Sequence, residues 1–177
     1  MFCVAQHRNL LLAGTYSKQV VMWDIHNTYC MVKFIETEQE VYNILPWDNC
    51  LVVTSGGSIS RIKVWSVHHC GLLIDIGPHN GNNTNHMIRM GDCIVSCGNG
   101  DPRLLFLQFT NKESPFLKEK TSFRAKSLLY SCAQLTPQLI LSAAEQVYLL
   151  NLETNKEEDK FNFEQSSERI VHFVPLR

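Results

Sequence analysis

Val20-Val21-Met22-Trp23-Asp24-Ile25 is the stretch on which the fold turns, because three later segments repeat its pattern. They are Ile62-Lys63-Val64-Trp65-Ser66-Val67, Leu104-Leu105-Phe106-Leu107-Gln108-Phe109 and Val147-Tyr148-Leu149-Leu150-Asn151-Leu152. Their fourth positions fall at residues 23, 65, 107 and 150, at intervals of 42, 42 and 43 residues. Each run is rich in β-branched, aromatic and aliphatic side chains, the composition of a strand covered on both faces. Even spacing over four copies makes internal repetition the first thing to explain.

A second strand precedes each run. Leu10-Leu11-Leu12-Ala13-Gly14, Val52-Val53-Thr54-Ser55-Gly56 and Ile94-Val95-Ser96-Cys97-Gly98 each place a glycine nine residues before Trp23, Trp65 or Leu107. The fourth copy, Leu139-Ile140-Leu141-Ser142-Ala143-Ala144, ends in alanines. Glycine permits the positive φ of a tight turn, so Gly14, Gly56 and Gly98 are expected at hairpin turns. Weaker apolar runs lie before each pair, at residues 2–5, 41–45, 86–90 and 128–132. Others follow each pair, at 30–35, 71–76, 115–118 and 159–163.

The unit is therefore four strands, repeated at about 1–36, 40–77, 85–121 and 127–164, with a fifth copy beginning at 169–174. No ten-residue window carries a capped helical stripe. A period of roughly 40–45 residues with four short strands is that of a propeller blade. The expectation is an all-β chain, one segment over residues 1–177. It would contain four four-stranded antiparallel sheets, the blades of a partial or open β-propeller. A β-sandwich or barrel, whose strands recur every 8–12 residues, is the rival.

Residues 14–25, ending in Trp23-Asp24, resemble the end of a WD repeat. Residues 55–67 resemble a second, with Ser66 in place of the aspartate. The third and fourth units keep the spacing but carry Leu107-Gln108 and Leu150-Asn151. The resemblance covers nearly the whole chain, with a strong motif in the first two units only. It implies an Asp-His-Ser-Trp hydrogen-bond network between blades. The family's Gly-His pair is absent, and its turn aspartate survives only as Asp101, with Ser17 at the matching place in unit one. The network is therefore expected to be incomplete, leaving the blades to apolar packing. Rings in this family usually have six to eight blades. Four units therefore suggest part of a longer protein whose further blades complete the ring, completion by another copy or another subunit, or a small four-bladed ring. Closure protects strand edges that an open array leaves unpaired.

Composition bounds the function. The 177 residues are 45% hydrophobic and 19% charged, the balance of a globular protein. A formal net charge of −1 gives no basic field for a phosphate backbone, so nucleic acid is not expected. No apolar run of about 18 residues occurs, so no membrane association is expected. Seven cysteines, mostly inside apolar runs, suit reduced thiols. The expected location is intracellular, cytoplasmic or nuclear.

Motifs for chemistry are sparse. Gly98-Asn99-Gly100 follows a strand but precedes Pro102 rather than a helix, so it reads as a turn. His68-His69-Cys70 falls in a turn, and Cys93 and Cys97 read as core thiols. No catalytic residue, metal site or cofactor is expected, and the chain is read as not an enzyme. Trp23 and Trp65 are packing residues by position, as are Asp24, Leu107 and Leu150. Trp47, after Pro46 at a strand end, is a candidate exposed anchor. Lys18, Arg61 and Arg103 each stand four or five residues before the Trp position. Equivalent positions of successive blades form an arc, so these cations are expected on one rim, ready for an acidic or phosphorylated segment. The Gly- and Asn-rich loop at 77–85, with His79, is a second candidate surface.

The resemblance implies a non-catalytic protein–protein interaction scaffold presenting loops to other proteins. The alternatives are the substrate-recognition module of a ubiquitin ligase or the propeller of a larger multidomain enzyme. Ligase-docking members often carry Trp-Asp-x-Arg, whereas this chain has Trp23-Asp24-Ile25-His26.

Overall fold

A computed structural model describes residues 3–27, 30–48, 51–56, 61–79, 83–110, 116–126, 128–136, 138–143, 147–154 and 156–161. Among the described residues sixteen strands form four antiparallel sheets, each sequential in order. Blade 1 is β1 (Cys3–His7), β2 (Leu10–Gly14), β3 (Gln19–Asp24) and β4 (Cys30–Glu36). Blade 2 is β5 (Asn43–Pro46), β6 (Leu51–Gly56), β7 (Arg61–Ser66) and β8 (Leu72–Ile76). Blade 3 is β9 (Asn83–Met90), β10 (Cys93–Asn99), β11 (Asp101–Thr110) and β12 (Phe116–Arg124). Blade 4 is β13 (Ser131–Gln134), β14 (Leu139–Ala143), β15 (Val147–Asn151) and β16 (Lys156–Phe161). The sheets make a partial propeller. The fifth strand expected near 170–174 lies outside the described residues.

The repeat extends to backbone detail. The ladder between third and fourth strands slips by one residue at the same place in every blade: Met22/Trp23, Val64/Trp65, Phe106/Leu107 and Leu149/Leu150. Such a bulge bends the bulged strand and strengthens its twist. Its recurrence makes the four Trp-position residues structurally equivalent, including the two that are leucine.

The core lies between the sheets. Leu12, Val20 and Met22 of blade 1 pack against Ile44, Trp65 and Val67 of blade 2. Ile62 and Val64 of blade 2 meet Met87, Leu105, Leu107 and Phe109 of blade 3. Val95, Leu104 and Phe106 of blade 3 meet Cys132, Tyr148 and Leu150 of blade 4. Alternation along a strand sends successive side chains to opposite faces, so each blade offers one face forward and its Trp face backward. First strands also touch in series, β1 to β5, β5 to β9 and β9 to β13. Among the described strands none of blade 1 contacts blade 4, so these strands do not form a closed four-bladed ring.

The glycines differ from expectation. The positive-φ glycines among the described residues are Gly56 (145°), Gly91 (59°) and Gly100 (81°), not Gly14 or Gly98. In the first turn the left-handed residue is Lys18, at φ 62°. Gly14 is needed for space instead. A Cβ there would lie 2.6 Å from Cys3 Sγ and 2.8 Å from the Val41 carbonyl oxygen. Nor are the glycines ladder equivalents: Gly14 pairs with Val20, Gly56 with Arg61, and Gly98 with Asp101 beyond a bulge. The turns differ in length, so equal sequence offsets land on different rungs.

Candidate interaction surface

The turns between second and third strands place Lys18, Arg61 and Arg103 at the same end of equivalent strands. Lys18 closes the turn before β3, which Thr15 holds by accepting the Gln19 amide at 3.1 Å. The Lys18 carbonyl accepts the Thr37 amide at 2.8 Å, tying the turn to the connector that leads into blade 2. The Lys18 side chain is exposed and makes no ion pair among the described residues. Beside it Tyr16 is 68% exposed.

The two arginines are already engaged. Arg61 Nε donates to Asp75 Oδ1 at 2.5 Å, and Nη2 to the Asp75 carbonyl at 3.3 Å. Arg103 Nη2 lies 2.8 Å from Asp101 Oδ2 and donates to the Pro78 carbonyl at 3.2 Å. The Asp101 carboxylate raises the Arg103 pKa. Lys63, almost fully buried, donates to the Thr37 carbonyl at 3.1 Å and pairs with Glu38 at 2.8 Å. The rim is thus a row of neutralised pairs with Lys18 at one end, rather than an arc of free positive charge.

His79 is not on a mobile loop surface. Its side chain is fully buried, with Nδ1 3.2 Å from Asp101 Oδ2 and Nε2 2.9 Å from Ser96 Oγ. Burial lowers its pKa below the ordinary 6.5, against the opposing pull of Asp101. The ring is therefore neutral at pH 7. A carboxylate only accepts, so Nδ1–H donates to Asp101, and Nε2 accepts from the Ser96 hydroxyl. Asp101 also accepts the Arg103 backbone amide at 3.0 Å. Three members of the Asp-His-Ser-Trp set are thus assembled in blade 3, with Leu107 at the tryptophan's position. The expectation of a missing histidine is corrected. Pro78-His79 serves where Gly-His was sought, because the connector folds back onto the end of β10.

Trp47 is likewise internal. It is 7% exposed and meets Phe109 of blade 3 edge to face, with ring centroids 5.0 Å apart. Arg89 of blade 3 lies 4.3 Å over its ring and donates to its carbonyl oxygen. It joins two blades and offers no outward anchor. Of the remaining sequence candidates, Trp65, Leu107 and Leu150 are buried between blades, and Asp101 is 2% exposed. Trp23 is only partly buried, and Asp24 caps its turn by accepting the His26 amide at 2.9 Å. Sequence reasoning missed Tyr16 and Lys63, although both sit at repeat positions already marked out by their neighbours.

Among the described residues no group of three or more His, Cys, Asp or Glu side chains could hold a metal ion. Five described cysteines, Cys3, Cys70, Cys93, Cys97 and Cys132, are free thiols.

No family model matches the sequence, and no curated relative matches it either. Many solved chains share the fold. One is a chain in the crystal structure of a mitotic checkpoint complex, at a TM-score of 0.78 and 12% identity. The match covers 96% of this chain and 53% of that one, so this chain spans about half the length of the solved chain it resembles. At that identity the likeness shows the fold alone, an array of propeller blades.

Proposed function

We propose that this chain is a protein–protein interaction scaffold, and that the rim carrying Tyr16, Lys18, Arg61 and Arg103 receives the partner. One observation carries the reading: polar ties fix the rim turns to the connectors between blades. Lys18 binds Thr37, Arg103 binds Pro78, and Lys63 binds Thr37 and Glu38. A rim held this way presents side chains at fixed spacing, which lowers the ordering cost of association. Tyr16 beside Lys18 supplies an aromatic surface with an adjacent cation, a combination enriched where partners anchor. The match to a chain of a multiprotein complex is consistent with protein partners in general.

An acidic or phosphorylated segment would dock through Lys18. It would reach Arg61 and Arg103 only by competing with Asp75 and Asp101. The test is affinity capture with the wild-type chain, Tyr16→Ala/Lys18→Glu and Arg61→Glu/Arg103→Glu, each first checked for an unchanged melting temperature. Loss of the same captured proteins in the Tyr16/Lys18 variant supports the rim. Retention of all of them removes it. Weaker capture at low salt by the arginine variant supports the acidic segment, and unchanged capture removes that refinement.

A further inference from the structure

Each blade ends in an outer strand, and an exposed backbone edge is a template for pairing. No described strand pairs with the outer edges of β4, β8, β12 or β16. The recurring bulge leaves one residue of each outside the ladder: Val32, Leu73, Lys120 and Glu158. The residue before it pairs with the Trp position: Met31, Leu72, Glu119 and Glu157. In blades 3 and 4 both residues are charged, which guards an edge against association. In blade 2 both are leucine, 45% and 44% exposed. The one charge on β8 is committed inward: Asp75 Oδ1 lies 2.5 Å from Arg61 Nε, and Oδ2 lies 3.8 Å from Lys63 Nζ. A Cβ at Gly71, just before β8, would meet nothing within 4 Å, so the approach is open. Blade 1 carries Met31-Val32 but ends the described array. Blade 2 has a blade on either side, and further blades stacked at the ends of the array would leave β8 as it is.

We propose that the β8 edge binds an extended segment of a partner protein, added to the four-stranded sheet of blade 2 as a further strand. The segment matches the alternating N–H and C=O groups of β8 and sets aliphatic side chains against Leu72 and Leu73. Charge defines its remaining residues. β12 of blade 3 touches β8 and exposes Lys118, Lys120 and Arg124 against one exposed carboxylate, Glu119. A segment lying on β8 beside this strand therefore carries acidic residues next to its aliphatic ones. The same charges exclude a second copy as the occupant. Antiparallel pairing of two β8 edges keeps like faces on one side, which sets the basic β12 strands of the two copies against each other. The site lies on the outer strands, apart from the rim of Tyr16 and Lys18, and does not rest on that reading.

The test selects binders of the full chain from a random peptide library displayed on phage, then measures them as synthetic peptides by fluorescence anisotropy. Selected sequences are expected to alternate aliphatic residues and to include Asp or Glu. Amide hydrogen exchange of the complex is expected to slow at Leu72–Ile76. Leu72→Glu/Leu73→Lys installs the pair that blade 3 carries. It is expected to keep the wild-type melting temperature and to weaken binding about tenfold or more. Leu73→Lys alone, at the bulge, should act in the same direction. Lys118→Glu/Lys120→Glu should weaken binding at low salt and less so at high salt. A library that returns no binder overturns the proposal, as does unchanged affinity in both leucine variants. Slowed exchange at the Tyr16–Lys18 turn with none at β8 overturns it while favouring the rim. A wild-type dimer by light scattering that Leu73→Lys dissociates also overturns it, since the occupant is then a second copy.

Discussion

His79 Nδ1 lies 3.2 Å from Asp101 Oδ2, and the contact joins the connector before blade 3 to the turn inside it. Burial keeps the ring neutral by lowering its pKa, whereas the unfolded chain titrates near 6.5. Below about pH 6.5 the unfolded state takes up a proton that the native state refuses, so this group's effect on stability turns unfavourable as pH falls. Above that range it is pH-independent. Urea unfolding at pH 7.5, 6.5 and 5.5 should show the wild type losing more stability than His79→Gln on acidification. Parallel profiles would contradict the buried neutral ring.

Asp101 and Arg61 should respond differently to truncation. Asp101 is 2% exposed and accepts from His79, the Arg103 side chain and the Arg103 amide. Asp101→Ala leaves buried donors unmatched and should cost about 2–4 kcal/mol. Arg61 and Asp75 are partly exposed, so Arg61→Ala should cost less than about 1 kcal/mol. Chemical denaturation of the two variants gives the order directly.

Much of the fold was legible because a blade is a local unit. Period, strand number and the Trp position all reside within about 40 residues of one another. What was not legible depends on the next blade. Trp47 follows a proline at a strand end and reads as exposed, but Phe109 and Arg89 of another sheet cover it. His79 lacks the preceding glycine, and only the folded connector brings it to Ser96 and Asp101. The rim cations were found by position, but their neutralising partners, Asp75 on the adjacent strand among them, are fixed by ladder register. Of the three glycines expected at positive φ only Gly56 has it, because the turns differ in length and Gly14 is needed for close approach instead.

Glycine substitutions separate two causes. Gly14→Ala inserts a methyl against Cys3 Sγ and Val41, an overpacking that should cost about 1–3 kcal/mol. Gly56 combines φ 145° with the Glu40 carbonyl oxygen directly in the path of a Cβ. Gly56→Ala should therefore be the more destabilising of the pair. Gly91→Ala, at φ 59° with open space around it, carries the backbone cost alone. Melting temperatures should fall in the order Gly91, Gly14, Gly56, from smallest loss to largest.

Thiol chemistry should follow burial. Cys97 and Cys132 are 0% exposed, and the hydrogen bond with Cys97, together with burial, holds the Cys132 thiol well above its ordinary pKa. Burial pushes Cys3 up to about 11. Thiolate is the reactive form, which the raised pKa withholds at Cys3 and Cys132, and Cys97 is closed off by burial, so a disulfide reagent at pH 7.5 should leave these three unmodified in native protein and label them after unfolding. Rapid native labelling of Cys97 or Cys132 would mean that the blade 3–4 joint opens.

The central claim is that like sheets stand side by side, each packing its forward face on the Trp face of the next. The most direct measurement is the nuclear Overhauser contact between the Trp47 indole and the Phe109 ring, held at 5.0 Å between centroids in successive blades. The account predicts cross-peaks between the two rings, with upfield shifts for the edge protons of the ring that points at the other's face. Cross-strand contacts intact within each sheet, with none between these rings, would contradict it.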